Sequence, residues 1–158
     1  MTPKAIYDYI DELYTHNAFV QLCGIKTHNI SCGQSAVGLR LDKAKHTNLN
    51  NSTHGGLIMT IMDNATGIAA ATIGKKVVTV SMTAAFIKSA PVGALIEAKA
   101  EIAHQDGNIL TMNIQVYDRS NDNLLASGIS SMLIITDFPD IPEKWEGSYQ
   151  APLAYLNE

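Results

Sequence analysis

The spacing of apolar residues changes several times along this chain, and each change marks an element. Behind Thr2-Pro3, a pair suited to a helix start, Ile6, Ile10 and Leu13 recur at helical spacing. A first helix is therefore predicted over about 3–17, ending near His16 to Phe19. Residues 35–41, SAVGLRL, alternate loosely, as a half-buried strand does. LDKAKHTNLNNST follows, polar and rich in Asn, a loop by composition. Residues 53–74 read THGGLIMTIMDNATGIAAATIG, too long an apolar stretch for a strand. A helix from His54 to about Ile73 is predicted, hydrophobic on nearly every side.

Beyond Gly74 the period becomes two. In VVTVSMTAAF, the alternation puts Val78, Val80, Met82, Ala84 and Phe86 on one face and Thr79, Ser81 and Thr83 on the other. Ile96, Ala98, Ala100 and Ile102 then alternate with Glu97, Lys99 and Glu101. Asp106-Gly107 signals a hairpin, and Leu110, Met112, Ile114 and Val116 continue the pattern. The turn DRSNDN leads into a fourth strand, LLASGISSMLII. Helix, strand, long helix and a four-stranded meander make an α+β domain in which the sheet wraps the apolar helix. The reading is one domain over 1–158, with its core at about 35–135 and an extended tail over 137–158.

Composition narrows the classes. At 46% hydrophobic the 158 residues can build a real core, and the lean 16% charged suggests surface hidden between subunits. A net charge of −4 with no Lys/Arg cluster argues against nucleic acid as a partner. Cys23 and Cys32 form no disulfide framework, and His16, His28, His46 and His104 show no metal-ligand spacing, so no metal is expected. The opening MTPKAIYDYIDELY lacks a leader's apolar core, and Asp63 with several threonines interrupts the longest apolar run. A cytoplasmic protein without a membrane span is expected.

Within residues 53–74 only His54 and Asp63 titrate. A buried carboxylate is costly without partners, and Asp63 has no Lys or Arg within a turn of its helix. Burial without a cation raises a carboxyl pKa and can tune it as a base or nucleophile; a structural Asp accepting loop amides is the other reading, and both stay open here. Gly55-Gly56 at the helix start would present unshielded N–H groups at the positive end of the helix dipole, suited to an oxyanion or a carbonyl; close approach to a neighbouring strand is the steric alternative. From either glycine to Asp63 is seven or eight residues, roughly 10–12 Å along a helix. One carbonyl cannot meet both, so a homodimer with two equal sites at its interface is expected. His54, at the helix start, is a base or a group that holds the glycine amides.

Asn48-Leu-Asn-Asn-Ser-Thr-His54-Gly55-Gly56, with Asp63 and Gly67 after it, resembles the hotdog-fold thioesterases of the phenylacetate-pathway (PaaI-like) type. The stretch VVTVSMTAAFIKSAPVGALIEAKAEI is similar to the same family, and the likeness spans about 35–135. It implies a hotdog fold and hydrolysis of an acyl-CoA, with no cofactor besides the CoA of the substrate, in a dimer or dimer of dimers. Asp63 would attack the thioester or activate water, the Gly55 amide would polarise the carbonyl, and Asn48 and His54 would shape that pocket. Thr79 falls where the family often has a hydroxyl near the acid, with Ser81 as the fallback. Gly56, Met59 and Met62 complete the expected substrate contacts, and Phe86 is a further apolar candidate. Two positions depart from the family: Asn51 stands where Gly is usual, and Ser89 where Pro is common. A non-catalytic acyl-CoA binding protein is the alternative. A hydratase would need an Asp and a His five residues apart on the helix, which this chain lacks. Lys75, Lys76, Lys88 and Arg119 are too scattered to mark a phosphate site.

Overall fold

A computed structural model describes residues 1–157 of the chain; Glu158, the last residue of the expected tail, lies outside the described residues. Helix α1, Pro3–Thr15, starts where Thr2 accepts a hydrogen bond from the Ala5 amide, and it buries Ile6, Tyr7 and Ile10. Leu13, expected on that apolar face, is exposed. A second helix, α2 (Ala18–Cys23), begins at the Asn17 cap and stops at Gly24, whose φ of 72° is left-handed. Six residues are too few to show a period, so α2 is not among the elements the sequence pattern predicts.

Strand β1, Lys26–Ser31, reads KTHNIS and is the first of the sheet, followed by β2 (Gln34–Arg40). The Asn-rich loop contains one helical turn, α3 (Lys43–His46), before the long helix α4 (Gly55–Ala71). The four strands expected as a meander are β3 (Lys75–Phe86), β4 (Leu95–Asp106), β5 (Ile109–Asp118) and β6 (Asn123–Asp137), but only β4-β5-β6 run as one, because β3 crosses over to pair with β6 at the sheet edge. A short β7, Ser148–Gln150, and a 3-10 turn at Leu153–Asn157 end the chain. The sheet runs β3-β6-β5-β4-β2-β1-β7, antiparallel throughout. Its concave face closes on α4, whose Ile61, Met62, Ala65 and Ile68 meet Val37, Ile96, Met112 and Ile114 in one core. This is the hotdog fold. The small side chains of α4 and sheet let the layers approach: a Cβ at Gly128 would lie 2.4 Å from Met62 Cε.

The tail is not free. Strand β7 pairs with β1, Ile141 and Ala151 are buried, and Trp145 Nε1 donates to the Thr72 carbonyl. Lys75 bridges to Asp137 and Glu143. Among the described residues no helix is long and apolar enough to cross a membrane.

One alternation was misjudged in phase. The β3–β6 register shifts between Thr79 and Ser81, a bulge that adds a residue to β3. Ahead of it, the odd residues Val77 and Thr79 face α4; beyond it, Met82 and Ala84 do. Val78 and Val80 therefore leave the inner face and are exposed.

Polar groups on the convex side of the sheet are also locked. Glu97 is 1% exposed, takes a very short hydrogen bond from His28 Nδ1, and accepts from Arg119 Nη1 at 3.0 Å. Burial alone would lift its carboxyl, but the His28 hydrogen bond and the Arg119 charge outweigh it and hold the carboxyl below its ordinary 4.5. A group depressed in the folded state stabilises the fold above its unfolded pKa, and the gain fades as pH falls through the folded value. Chemical unfolding followed from pH 7 to pH 3 should thus show stability lost below about 4.5. Glu97→Gln should cost about 2 kcal/mol at pH 7 and flatten that acid limb; an unchanged limb would show that Glu97 does not carry it.

Candidate active site

The loop ahead of α4 is built from its own amides. Asn48 Oδ1 accepts from the backbone of Asn50 at 2.9 Å and of Ser52 at 3.1 Å, and Asn48 Nδ2 donates to Ser52 Oγ. Both departures from the family pattern take part in the turn. Asn51 adopts φ 55°, a left-handed position that glycine suits and asparagine tolerates. Ser89 Oγ accepts from the Thr53 amide.

His54 is the N-cap of α4. Its Nδ1 accepts from the Gly56 amide at 2.8 Å, which places the imidazole proton on Nε2. Gly56 thereby gives up its donor to the cap. Among the described residues nothing accepts from the Gly55 N–H, so that amide is the open donor at the positive end of the helix. The Phe86 ring lies beside it, 3.5 Å from where a Gly55 Cβ would stand.

Asp63 is exposed in the protomer, contrary to the expectation that it is buried. It lies on the one open strip of α4, which runs Gly56, Thr60, Asp63, Gly67 at spacings of three and four residues. Thr79 Oγ1, turned inward ahead of the bulge, donates to Asp63 Oδ1 at 2.5 Å. The two share a cavity of about 630 Å³ with Met59, Gly67, Tyr14 and Met132. The size suits a small organic group, and the walls are mostly apolar around one carboxylate.

Other expected contacts fall elsewhere. Met62 is fully buried in the core against Gly128, because it points away from the open strip. Ser81 lies past the bulge, on the face opposite Met82, and does not line the cavity. Asn48, expected to shape the pocket of the Gly55 amide, hydrogen-bonds within the loop that leads into α4. Gly55 and Asp63 are eight positions apart on a straight helix, about 12 Å, so one protomer does not bring them to a common point.

The N-terminal helices supply what the motif did not reveal. Tyr14 reaches the cavity from α1, its hydroxyl over Gly67, where a Cβ would come within 2.8 Å of it. Burial, and then the charge of Asp63, pushes the Tyr14 phenol up to about 12, so it remains a neutral donor. Phe19 and Val20 of α2 close the same side. The only earlier signal was Gly67, a glycine inside a helix that needs a reason.

Comparison with known proteins agrees with this geometry. The model of the thioesterase superfamily matches residues 50–124, which span the loop end, α4 and the sheet through β5. The PaaI protein of the Escherichia coli phenylacetic acid degradation operon superposes with a TM-score of 0.79 at 19% identity, over 87% of this chain and 98% of that one. Zebra fish thioesterase superfamily member 2 gives 0.73 at 18%, over 85% and 99%. A hypothetical thioesterase of Streptococcus pneumoniae, solved with coenzyme A, gives 0.68 at 17%, over 72% and 90%. That last protein has also been solved with alanine replacing an aspartate and, separately, a threonine sixteen residues further on. No curated protein matches the chain. In its motif-bearing segment and in its fold, the chain resembles PaaI-like hotdog thioesterases, as its sequence implied.

The cap can be tested apart from any activity. His54→Ala should lower stability by about 1 kcal/mol in urea unfolding, and His54→Asn, which restores a capping oxygen, should recover most of it. Equal losses in both variants would mean that the Gly56 contact contributes nothing.

Proposed function

We propose that the protein is an acyl-CoA thioesterase, hydrolysing the thioester of an acyl- or aryl-acyl-CoA to the free acid and CoA. The observation that carries this is the Asp63–Thr79 contact at the mouth of the apolar cavity. The aspartate and threonine replaced in the Streptococcus protein are separated by the same sixteen residues as Asp63 and Thr79. That neighbour was solved with coenzyme A, and another, from Streptococcus mutans, with acetyl-CoA.

In this reading Asp63 attacks the thioester carbonyl or takes a proton from the attacking water. Thr79 holds one carboxylate oxygen and leaves the other directed at substrate. Carbon–sulfur cleavage releases the CoA thiol, and water supplies the hydroxyl of the acid, so neither metal nor redox cofactor is required. The Gly55 N–H stabilises the oxyanion where negative charge develops. Because the rise of α4 separates that amide from Asp63 of the same protomer, the amide comes from a second copy, and a two-fold axis makes two equal sites. Strand β3 supports such a partner: it is an edge strand of twelve residues that exposes Val80 (60%) and Phe86 (58%).

Free-thiol release from a panel of acyl-CoAs tests the reading. Asp63→Asn should reduce kcat by about 10²- to 10⁴-fold with the dimer intact. Gly55→Pro removes the donor at a first-turn position that accepts proline, and His54 at φ −66°, ψ 128° already has the backbone a residue before proline prefers. It should reduce kcat by roughly 10²- to 10³-fold without unfolding the helix. Mixing the two inactive variants in equal amounts should restore roughly a quarter of wild-type turnover, since half the dimers are mixed and one of their two sites is whole. No restoration, with exchange of protomers demonstrated, would refute the shared site. Binding of acyl-CoA without turnover of any would leave a binding protein.

A further inference from the structure

The convex face of the sheet, opposite the Asp63 site, holds a second cavity of about 640 Å³. His28 lines it and is only 2% exposed, with Nδ1 taken by Glu97. Its other nitrogen, Nε2, is buried and has no hydrogen-bond partner among the described residues. A buried polar atom left so is costly unless something meets it.

The charges around it decide what that is. Strand β4 contributes Glu97, Lys99 and Glu101, the turn after β5 contributes Arg119, and the remaining walls carry no charged side chain besides His28 itself. Both oxygens of Glu97 are engaged, one by His28 and the other by Arg119 at 3.0 Å with Lys99 at 3.8 Å. Glu101 is exposed, at the register position of Gln34 and Asn113. Set against the exposed Glu101 carboxylate, what remains toward the cavity is donor capacity: the rest of the Arg119 guanidinium, the Lys99 N–H groups not turned to Glu97 or the Tyr117 ring, and several side-chain amides.

We infer that this cavity is a binding site for an oxyanion carried on a small organic body, a carboxylate or a phosphate, anchored on His28 Nε2 and flanked by Arg119 and Lys99. With the anion bound, His28 carries a proton on each nitrogen, one donated to Glu97 and one to the ligand, so binding from the neutral imidazole takes up one proton. Glu97 fixes the ring, and the volume leaves room for a body larger than the anion. The site is independent of the thioesterase reading, since no residue of the Asp63 cavity belongs to it.

Imidazole nitrogen NMR of the full chain, labelled at histidine and assigned with His28→Gln, reads it directly. Sodium benzoate and inorganic phosphate are titrated separately against sodium chloride of equal ionic strength. A saturable shift of the His28 Nε2 resonance is expected with at least one of them. Benzoate alone identifies a carboxylate, phosphate alone a phosphate, and both a general oxyanion site. Arg119→Gln should weaken the apparent Kd roughly tenfold. Lys99→Gln, at an exposed position that tolerates change, should weaken it by about two- to threefold while thioester turnover stays at the wild-type level. A shift that never saturates, that chloride reproduces, or that neither substitution alters would overturn the proposal and leave His28 to water.

Discussion

A helix enclosed by a curved sheet can bury all of its surface except the strip the sheet does not reach, and that limit organises this molecule. On α4 the strip is Gly56, Thr60, Asp63 and Gly67. Met59 and Asn64 flank it on the cavity, and the opposite face of the helix is committed to the core through Ile61, Met62, Ala65 and Ile68. A carboxylate at position 63 therefore costs little in the isolated protomer, although its flanking sequence is almost wholly apolar. Its neighbours are then dictated by geometry. Thr79 arrives from the edge strand, Tyr14 and α2 cover one side, and Gly67 exists because the Tyr14 hydroxyl occupies the space of its side chain.

The same helix sets a limit of another kind. At about 1.5 Å per residue, its start and its carboxylate stand well apart. His54 ties back the Gly56 amide and leaves the Gly55 amide open, so the donor at the helix end is single and directed. In the proposed function, this open donor and an acid with one hydroxyl partner are two half-sites. Under the proposed function, the exposed β3 edge is what lets a second copy of the chain bring the halves together.

Much of this was legible because period and burial coincide. The alternation of 96–102 and 110–116 matches the inner faces of β4 and β5, and the apolar run of 57–71 matches α4. Legibility failed where long-range contacts override composition. KTHNIS is mostly polar, yet it forms β1, pairing with β2 and β7, burying Ile30 and setting His28 on a carboxylate 69 residues away. The bulge in β3 was hidden since Val77, Val78 and Val80 allow either phase; only the pairing with β6 selects the one that turns Thr79 toward Asp63. Met62, an apolar side chain that suits either a pocket or the core, is carried into the core by one residue's rotation from Asp63 on the helix. The second turn of helix at α2 and the docking of the tail leave no periodic trace at all.

Two carboxylates, treated oppositely, separate chemistry from architecture in this fold. Glu97 is enclosed, with His28, Arg119 and Lys99 disposed about both of its oxygens, and it is held ionised below the ordinary range. Buried, with each oxygen held by a cationic or imidazole partner, this carboxylate serves to join β1 to β4 and the end of β5. Asp63 has one donor on one oxygen, sits at the mouth of a cavity, and faces a phenol that stays protonated. The number of donors already spent on a carboxylate decides whether it can still react. By that measure Asp63, on the concave side, is the acid the proposed function would use, and the site proposed on the convex side offers donors to an acid brought from outside.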